Sequence, residues 1–216
     1  MALKGVDVHD KNGAIDWAGL AGTGIQFAFV RAAYGDRLDT RLSENYQGAK
    51  GAGLVVGLYH FYRQPLSAAD QRQVMLRAID QVQLGAGDLP PVIDVEDNPK
   101  YDGEWDNANN AAYIADLRDW LQAIRQKIGQ APIVYTRASF WNQIGHPDGF
   151  ADCPLWVANY GVSNPHLPRG WTDYAFWQSS DSATLDGMPG TWDLNIFQGS
   201  VDDLQALTLS QAALTS

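Results

Sequence analysis

Short runs of β-branched and aromatic residues recur along this chain with amphipathic segments between them, and that alternation restricts the fold more than any other feature. The strand candidates cover residues 5–8, 27–33, 54–62, 91–96, 133–137, 155–160, 175–179 and 194–197. Most are apolar on both faces, the mark of strands in a parallel sheet covered by helices. Helical periodicity fills the gaps in the first half. Residues 41–52 place Leu42, Tyr46 and Ala49 on one side, and residues 67–84 open with Ser67 and Asp70 in a capping-box-like start. Residues 110–128 present Tyr113, Leu117, Trp120, Leu121, Ile124 and Ile128 and stop at Gly129. After Arg137 the strands are separated by Gly- and Pro-rich loops with little periodicity.

Repeating βα order requires parallel neighbours joined by right-handed crossovers. Eight such strands closing on themselves predict an α/β barrel of the TIM type, modified so that five βα units precede three strands with few helices. An open doubly wound sheet, as in a flavodoxin-like binding protein, is the rival. It lacks support, because no Gly-rich phosphate turn follows any early strand. No linker or internal repeat divides the chain, so residues 1–216 are expected to form one catalytic domain.

Charge and composition exclude several function classes. A formal net charge of −10 opposes binding to nucleic acid, whose phosphates are held by Lys and Arg clusters. No run approaches the roughly 20 apolar residues that span a bilayer, so no membrane insertion is expected. Four histidines without metal-ligand spacing and a single cysteine, Cys153, predict neither a metal site nor any cofactor. Strand character begins almost at the first residue, leaving no room for a secretory leader. The expectation is synthesis in the cytoplasm with release by lysis or a specialised export route, or a leader already removed. A monomer is the default.

The chemistry is expected where barrel enzymes keep it, at the C-terminal ends of the strands. Strand one ends at Asp7, strand four reads Pro91-Val92-Ile93-Asp94-Val95-Glu96-Asp97, and strand eight is introduced by Trp192-Asp193-Leu194-Asn195. Asp94 and Glu96 lie two apart, so on a strand both point to one side with β-carbons about 6.6 Å apart. Crowded carboxylates repel, and at least one holds a proton near neutrality. That is the condition for a general acid beside an ionised partner, the arrangement of glycoside hydrolysis. Acids that merely cap helices or meet Arg31 and Arg137 are the bland alternative for a lone pair. Acids from three separate strand ends weigh against it.

These segments, in order, resemble glycoside hydrolase family 25, the Chalaropsis-type lysozymes that include phage endolysins. The likeness begins with Gly5-Val6-Asp7-Val8, Asn12-Gly13 and Ile15-Asp16-Trp17, and continues through Phe29-Val30-Arg31-Ala32, Gly57-Leu58-Tyr59-His60-Phe61-Tyr62 and Asp94-Val95-Glu96. It resumes at Pro132-Ile133-Val134-Tyr135-Thr136, Leu155-Trp156-Val157-Ala158-Asn159-Tyr160, Phe176-Trp177-Gln178 and Asp193-Leu194-Asn195-Ile196-Phe197. The resemblance implies a barrel of five βα units and three plainer strands. It also implies cleavage of the β-1,4 bond between N-acetylmuramic acid and N-acetylglucosamine in bacterial peptidoglycan, whose glycan strands are the expected partner. By the same match Glu96 is the general acid, and Asp94 orients the acetamido group or stabilises developing positive charge. Asp7 and Asp193 complete an acidic floor that tunes Glu96. Aromatic residues form 11% of the chain, and flat rings stack on sugar faces. From this set Tyr62, Tyr135, Trp156 and Tyr160, with Gln178, are the expected sugar-binding residues.

Two positions depart from the family pattern. His9 stands where many members carry Ser, and Ala33-Tyr34-Gly35 stands where many carry an acid; both bear on substrate preference. The nucleophile stays open among a protein carboxylate, an activated water and the substrate's own acetamido group, with the last favoured by the Asp94–Glu96 pair. Two further readings compete. A chitinase-like hydrolase would show more acids on strand four, and an inactive glycan-binding barrel would have lost Glu96.

Overall fold

A computed structural model describes residues 2–210. Its strands are β1 (Leu3–Val8), β2 (Ile25–Tyr34), β3 (Arg37–Leu38), β4 (Val55–Phe61), β5 (Val92–Val95), β6 (Ile133–Thr136), β7 (Leu155–Ala158), β8 (Phe176–Ala183) and β9 (Trp192–Phe197). Their order is β1-β9-β8-β7-β6-β5-β4-β2, and a β1–β2 pairing closes the ring into an eight-stranded barrel; β3 hangs on β2 alone. Neighbours from β1 through β2, β4, β5, β6 and β7 to β8 run parallel. The last strand does not. β9 is antiparallel to both β8 and β1, a departure from the expected all-parallel order.

Side-chain alternation shows why the strands read as apolar on both faces. Phe27, Phe29, Tyr59, Val92, Ile133, Tyr135, Trp156 and Phe176 pack together inside the barrel. Their neighbours Ala28, Val30, Val56, Leu58, Ile93, Val95 and Val134 face outward into a second core beneath the helices. A strand with period two and two buried faces shows no polar alternation. The interior is filled by large rings set against glycine: a Cβ on Gly5 would lie 2.3 Å from the Phe27 ring.

The helices are α1 (Trp17–Gly22), α2 (Leu42–Gly51), α3 (Ala68–Val82), α4 (Pro99–Asp102), α5 (Asn110–Ile128), α6 (Ala138–Gln143) and α7 (Val201–Leu207). α2, α3 and α5 occupy the three segments with helical periodicity. Ser67 caps α3 by accepting the Asp70 N–H, and α5 ends at Gly129 in the left-handed conformation (φ 71°) that glycine adopts without strain. α1, α4, α6 and α7 are too short to display a period, and so escape a reading based on one. No helix separates β7 from β8 or β8 from β9. Among the described residues no helix is long and apolar enough to cross a membrane.

Candidate active site

The C-terminal ends of the parallel strands meet at one end of the barrel, and the site is assembled there. β1 supplies Asp7, β5 leads to Asp94 and Glu96, β6 supplies Tyr135, β7 carries Trp156 with Tyr160 just beyond it, and β8 supplies Gln178. Because β9 runs the opposite way, its first residues rather than its last reach this end. Asp193 lies directly across from Asp7 in the β1–β9 register, and Asn195 lies across from Gln178. Asp7, Asp94, Glu96, Tyr135, Trp156, Tyr160, Gln178 and Asp193 line one cavity of about 280 Å³.

A hydrogen-bond chain ties the cavity wall to Asp7. The Tyr135 and Tyr160 hydroxyls both donate to Gln178 Oε1, at 2.7 and 2.6 Å. Gln178 Nε2 then donates to Asp7 Oδ1 at 2.8 Å. From the other side the Trp156 indole donates to Asn195 Oδ1 at 2.8 Å, and Asn195 Nδ2 donates to the same Asp7 oxygen at 2.7 Å. Each amide is thereby forced to turn its N–H₂ toward Asp7, which receives two donors on one oxygen. Trp156 is itself held by stacking on Phe29, with ring centroids 4.3 Å apart.

The four acids sit without cations of their own. Arg31 pairs with Asp10 and Asp39, and Arg137 pairs with Asp97. Among the described residues none of Asp7, Asp94, Glu96 and Asp193 forms a salt bridge, which removes the bland account of these acids as ion-pair partners. Their pKa values rise accordingly, since burial in low dielectric disfavours the charged form. Burial, then the charges of Glu96 and Asp7, push Asp94 well above the carboxylate range. Burial lifts Glu96 to about 7; Arg137 opposes the rise, while Asp97 and Asp7 add to it. Asp193 is raised to about 8 by burial and then by its neighbour Asp7. Asp7 is raised by burial, with the Asn195 and Gln178 amides pulling the other way. Asp94 Oδ1 is buried and has no protein partner. Such a cluster can hold a proton on Glu96 near neutrality and offer negative charge beside it.

Tyr62 is not brought to this cavity. It is buried, with its ring 5.8 Å from that of Tyr113, among the residues beneath α5. Tyr62 follows Phe61, which lines the cavity, and adjacent residues on an extended chain face opposite ways. The cavity also takes in His9, Lys11, Arg31, Tyr34, Tyr59, Phe61 and Asp181. Tyr59 and Phe61 follow from the alternation along β4, had it been phased on the barrel interior. Asp181 follows a register irregularity in β8 that no local sequence signal marks.

The cavity is the middle of a longer groove. Through Glu96, Tyr135 and Tyr160 it opens into a second cavity of about 410 Å³ lined by Arg137, Asn159 and His166. Through Lys11, Arg31, Tyr34 and Phe61 it joins a third of about 460 Å³ that reaches Arg37, Asn98 and Tyr101. The acids occupy the centre, and basic and aromatic side chains occupy both arms.

Known proteins resemble this chain along nearly its whole length. The sequence profile of a family described as Glycosyl hydrolases family 25 matches residues 6–188. The uncharacterized protein YegX of Escherichia coli (strain K12) is 34% identical, the match covering 94% of this chain and 72% of that protein. Lysozyme M1 of Streptomyces globisporus is 32% identical over 97% of this chain and 72% of its own length. The crystal structure of the bacterial lysozyme from Streptomyces coelicolor superposes with a TM-score of 0.84 at 31% identity, covering 96% of this chain and 97% of that one.

Proposed function

The chain belongs to glycosyl hydrolase family 25, and from that premise we propose that it is a muramidase that cuts bacterial peptidoglycan with Glu96 as its general acid. The bond is the β-1,4 link from N-acetylmuramic acid to N-acetylglucosamine. One observation carries the assignment of the acid: among the four acids Glu96 alone combines a pKa of about 7 with a place lining both the central cavity and the arm beside Arg137, Asn159 and His166. An acid of that strength is protonated over much of the mildly acidic range and strong enough to give the proton up.

Glu96 donates its proton to the glycosidic oxygen as the bond to the anomeric carbon breaks. The carbonyl oxygen of the muramic acid acetamido group closes on that carbon from the opposite face. Asp94, two residues back on the same strand and with a buried oxygen lacking any protein partner, accepts the acetamido N–H and so orients that group for attack. Glu96, now ionised, takes a proton from water as the water opens the cyclic intermediate, and configuration is retained. Asp7, fixed by two amide donors, supplies negative charge that helps keep Glu96 protonated, while Asp193 opposite it keeps a proton of its own. Tyr135, Tyr160, Gln178 and Trp156 form the wall against which sugar rings pack.

The test is release of reducing sugars from purified peptidoglycan by wild type and Glu96→Gln at equal folded concentration. New reducing ends on muramic acid, lost by at least about 100-fold in the variant, are the expected result for a general acid. Undiminished release by the variant would overturn the role of Glu96, and no release by wild type from any of several wall types would overturn the activity.

A further inference from the structure

His9 lies two residues beyond Asp7. β1 ends at Val8, but His9 continues it in extended backbone (φ −146°, ψ −178°), so both side chains project to the same side. His9 is half-buried and lines the cavity with Asp7, Asp94 and Glu96. Its ring is secured through one nitrogen. Nδ1 accepts the backbone N–H of Lys11 at 3.2 Å, and the Asn12 side chain accepts the His9 N–H at 2.8 Å, a reciprocal cap on the turn Asp10–Asn12.

A ring nitrogen that accepts an N–H has no proton of its own, so in the neutral imidazole the proton sits on Nε2. Burial and the charge of Arg31 push the ring below its ordinary 6.5, against the opposing pull of Asp10 and Asp39, and the neutral form prevails at neutrality. Among the described residues Nε2 has no protein partner. It occupies the ring edge turned away from the cap. The acids around it can only accept hydrogen bonds when ionised, whereas the hydroxyl, acetamido and lactyl oxygens of a wall glycan need donors.

We infer that His9 is a substrate-binding residue whose Nε2–H donates to an oxygen of the sugar held over Asp7. A neutral donor suits this place, because a lysine here would draw the neighbouring carboxyls back toward ordinary acidity. The inference rests on the muramidase reading and on the tautomer imposed by the cap.

Two variants separate binding from capping. His9→Asn keeps an acceptor at the cap and removes the distal N–H; His9→Gln restores an N–H near the Nε2 position and weakens the cap. On glycan strands freed of peptide, His9→Asn is expected to lower kcat/KM by about 3- to 10-fold, mostly through KM, the effect of one uniformly made hydrogen bond. Its unfolding temperature should match wild type, and His9→Gln should recover most of the KM. In Glu96→Gln protein the His9 Nε2–H proton resonance should shift on adding a peptidoglycan tetrasaccharide. Wild-type KM in His9→Asn, or a resonance indifferent to the tetrasaccharide, would overturn the inference while leaving wild-type hydrolysis intact. A wild type inert on walls would instead remove the function on which it stands.

Discussion

Replacing Glu96 by glutamine should abolish activity and, at the same time, stabilise the fold in a pH-dependent way. Burial, reinforced by Asp97 and Asp7 and opposed by Arg137, lifts the Glu96 carboxyl from its ordinary 4.5 to about 7. A group whose folded pKa is raised contributes stability that is complete below the unfolded value and is lost as pH rises through the folded value. A rise from 4.5 to about 7, at about 1.4 kcal/mol for each tenfold change in proton affinity, corresponds to about 3 kcal/mol lost by pH 8. Glutamine has the same shape and nothing to ionise, so it escapes that loss. A domain of this size moves about 2–4 °C per kcal/mol, which gives a Tm gap near zero at about pH 4 that opens to about 6–12 °C at about pH 8. Thermal unfolding followed by circular dichroism across that range measures it. A gap that stayed constant, or that favoured wild type at high pH, would show that Glu96 is ionised and paired in the folded protein. The reasoning about its proton would then fail.

Two further expectations test the frame around the site. Asp39 is buried and accepts Arg31 Nε at 2.8 Å and the Asp10 and Arg41 backbone N–H groups at 3.1 and 2.8 Å. Asp39→Ala strips a buried guanidinium of one partner and should cost about 3–5 kcal/mol in urea unfolding; a loss under about 1 kcal/mol would mean that water reaches Arg31. Cys153 is buried, and burial pushes its thiol up to about 11. A disulfide reagent at about pH 8 should therefore leave the native protein unlabelled and react only as fast as the chain unfolds. Rapid labelling of folded protein would contradict that burial.

Much of the barrel was legible because its strands are long runs with few polar interruptions. Every expected strand corresponds to an observed one, and the three periodic helices are α2, α3 and α5. What escaped was structure too short to have a period, such as β3 and the six-residue α1 and α6. The acids at the cavity were legible for a different reason. A carboxylate inside an apolar strand conflicts with its surroundings, and Asp94 between Ile93 and Val95 stands out on that ground alone. Aromatic residues conflict with nothing, since a ring packs as well in a core as on a sugar. Tyr62 and Tyr135 are alike in the sequence, and only the phase of the strand sends one toward α5 and the other into the cavity.

Asp193 is the instructive case, because strand-end logic and an all-parallel order cannot both hold for it. A parallel last strand would place a residue at its start on the far side of the barrel from Asp7. The expected strands leave residues 180–193 between them. In the structure β8 continues to Ala183 and β9 begins at Trp192, leaving residues 184–191, and a parallel crossover needs a dozen or more. The chain turns instead through Gly187 and Gly190, both in the left-handed region at φ 77° and 78°. Reversal sets Asp193 across from Asp7, and like charges directly opposite on antiparallel strands are destabilising. The strain is relieved by a proton: Asp193, raised to about 8, keeps one while Asp7 takes its two amide donors. The short connection after β8 is therefore what sets the charge of the acidic floor, and with it the proton that Glu96 holds.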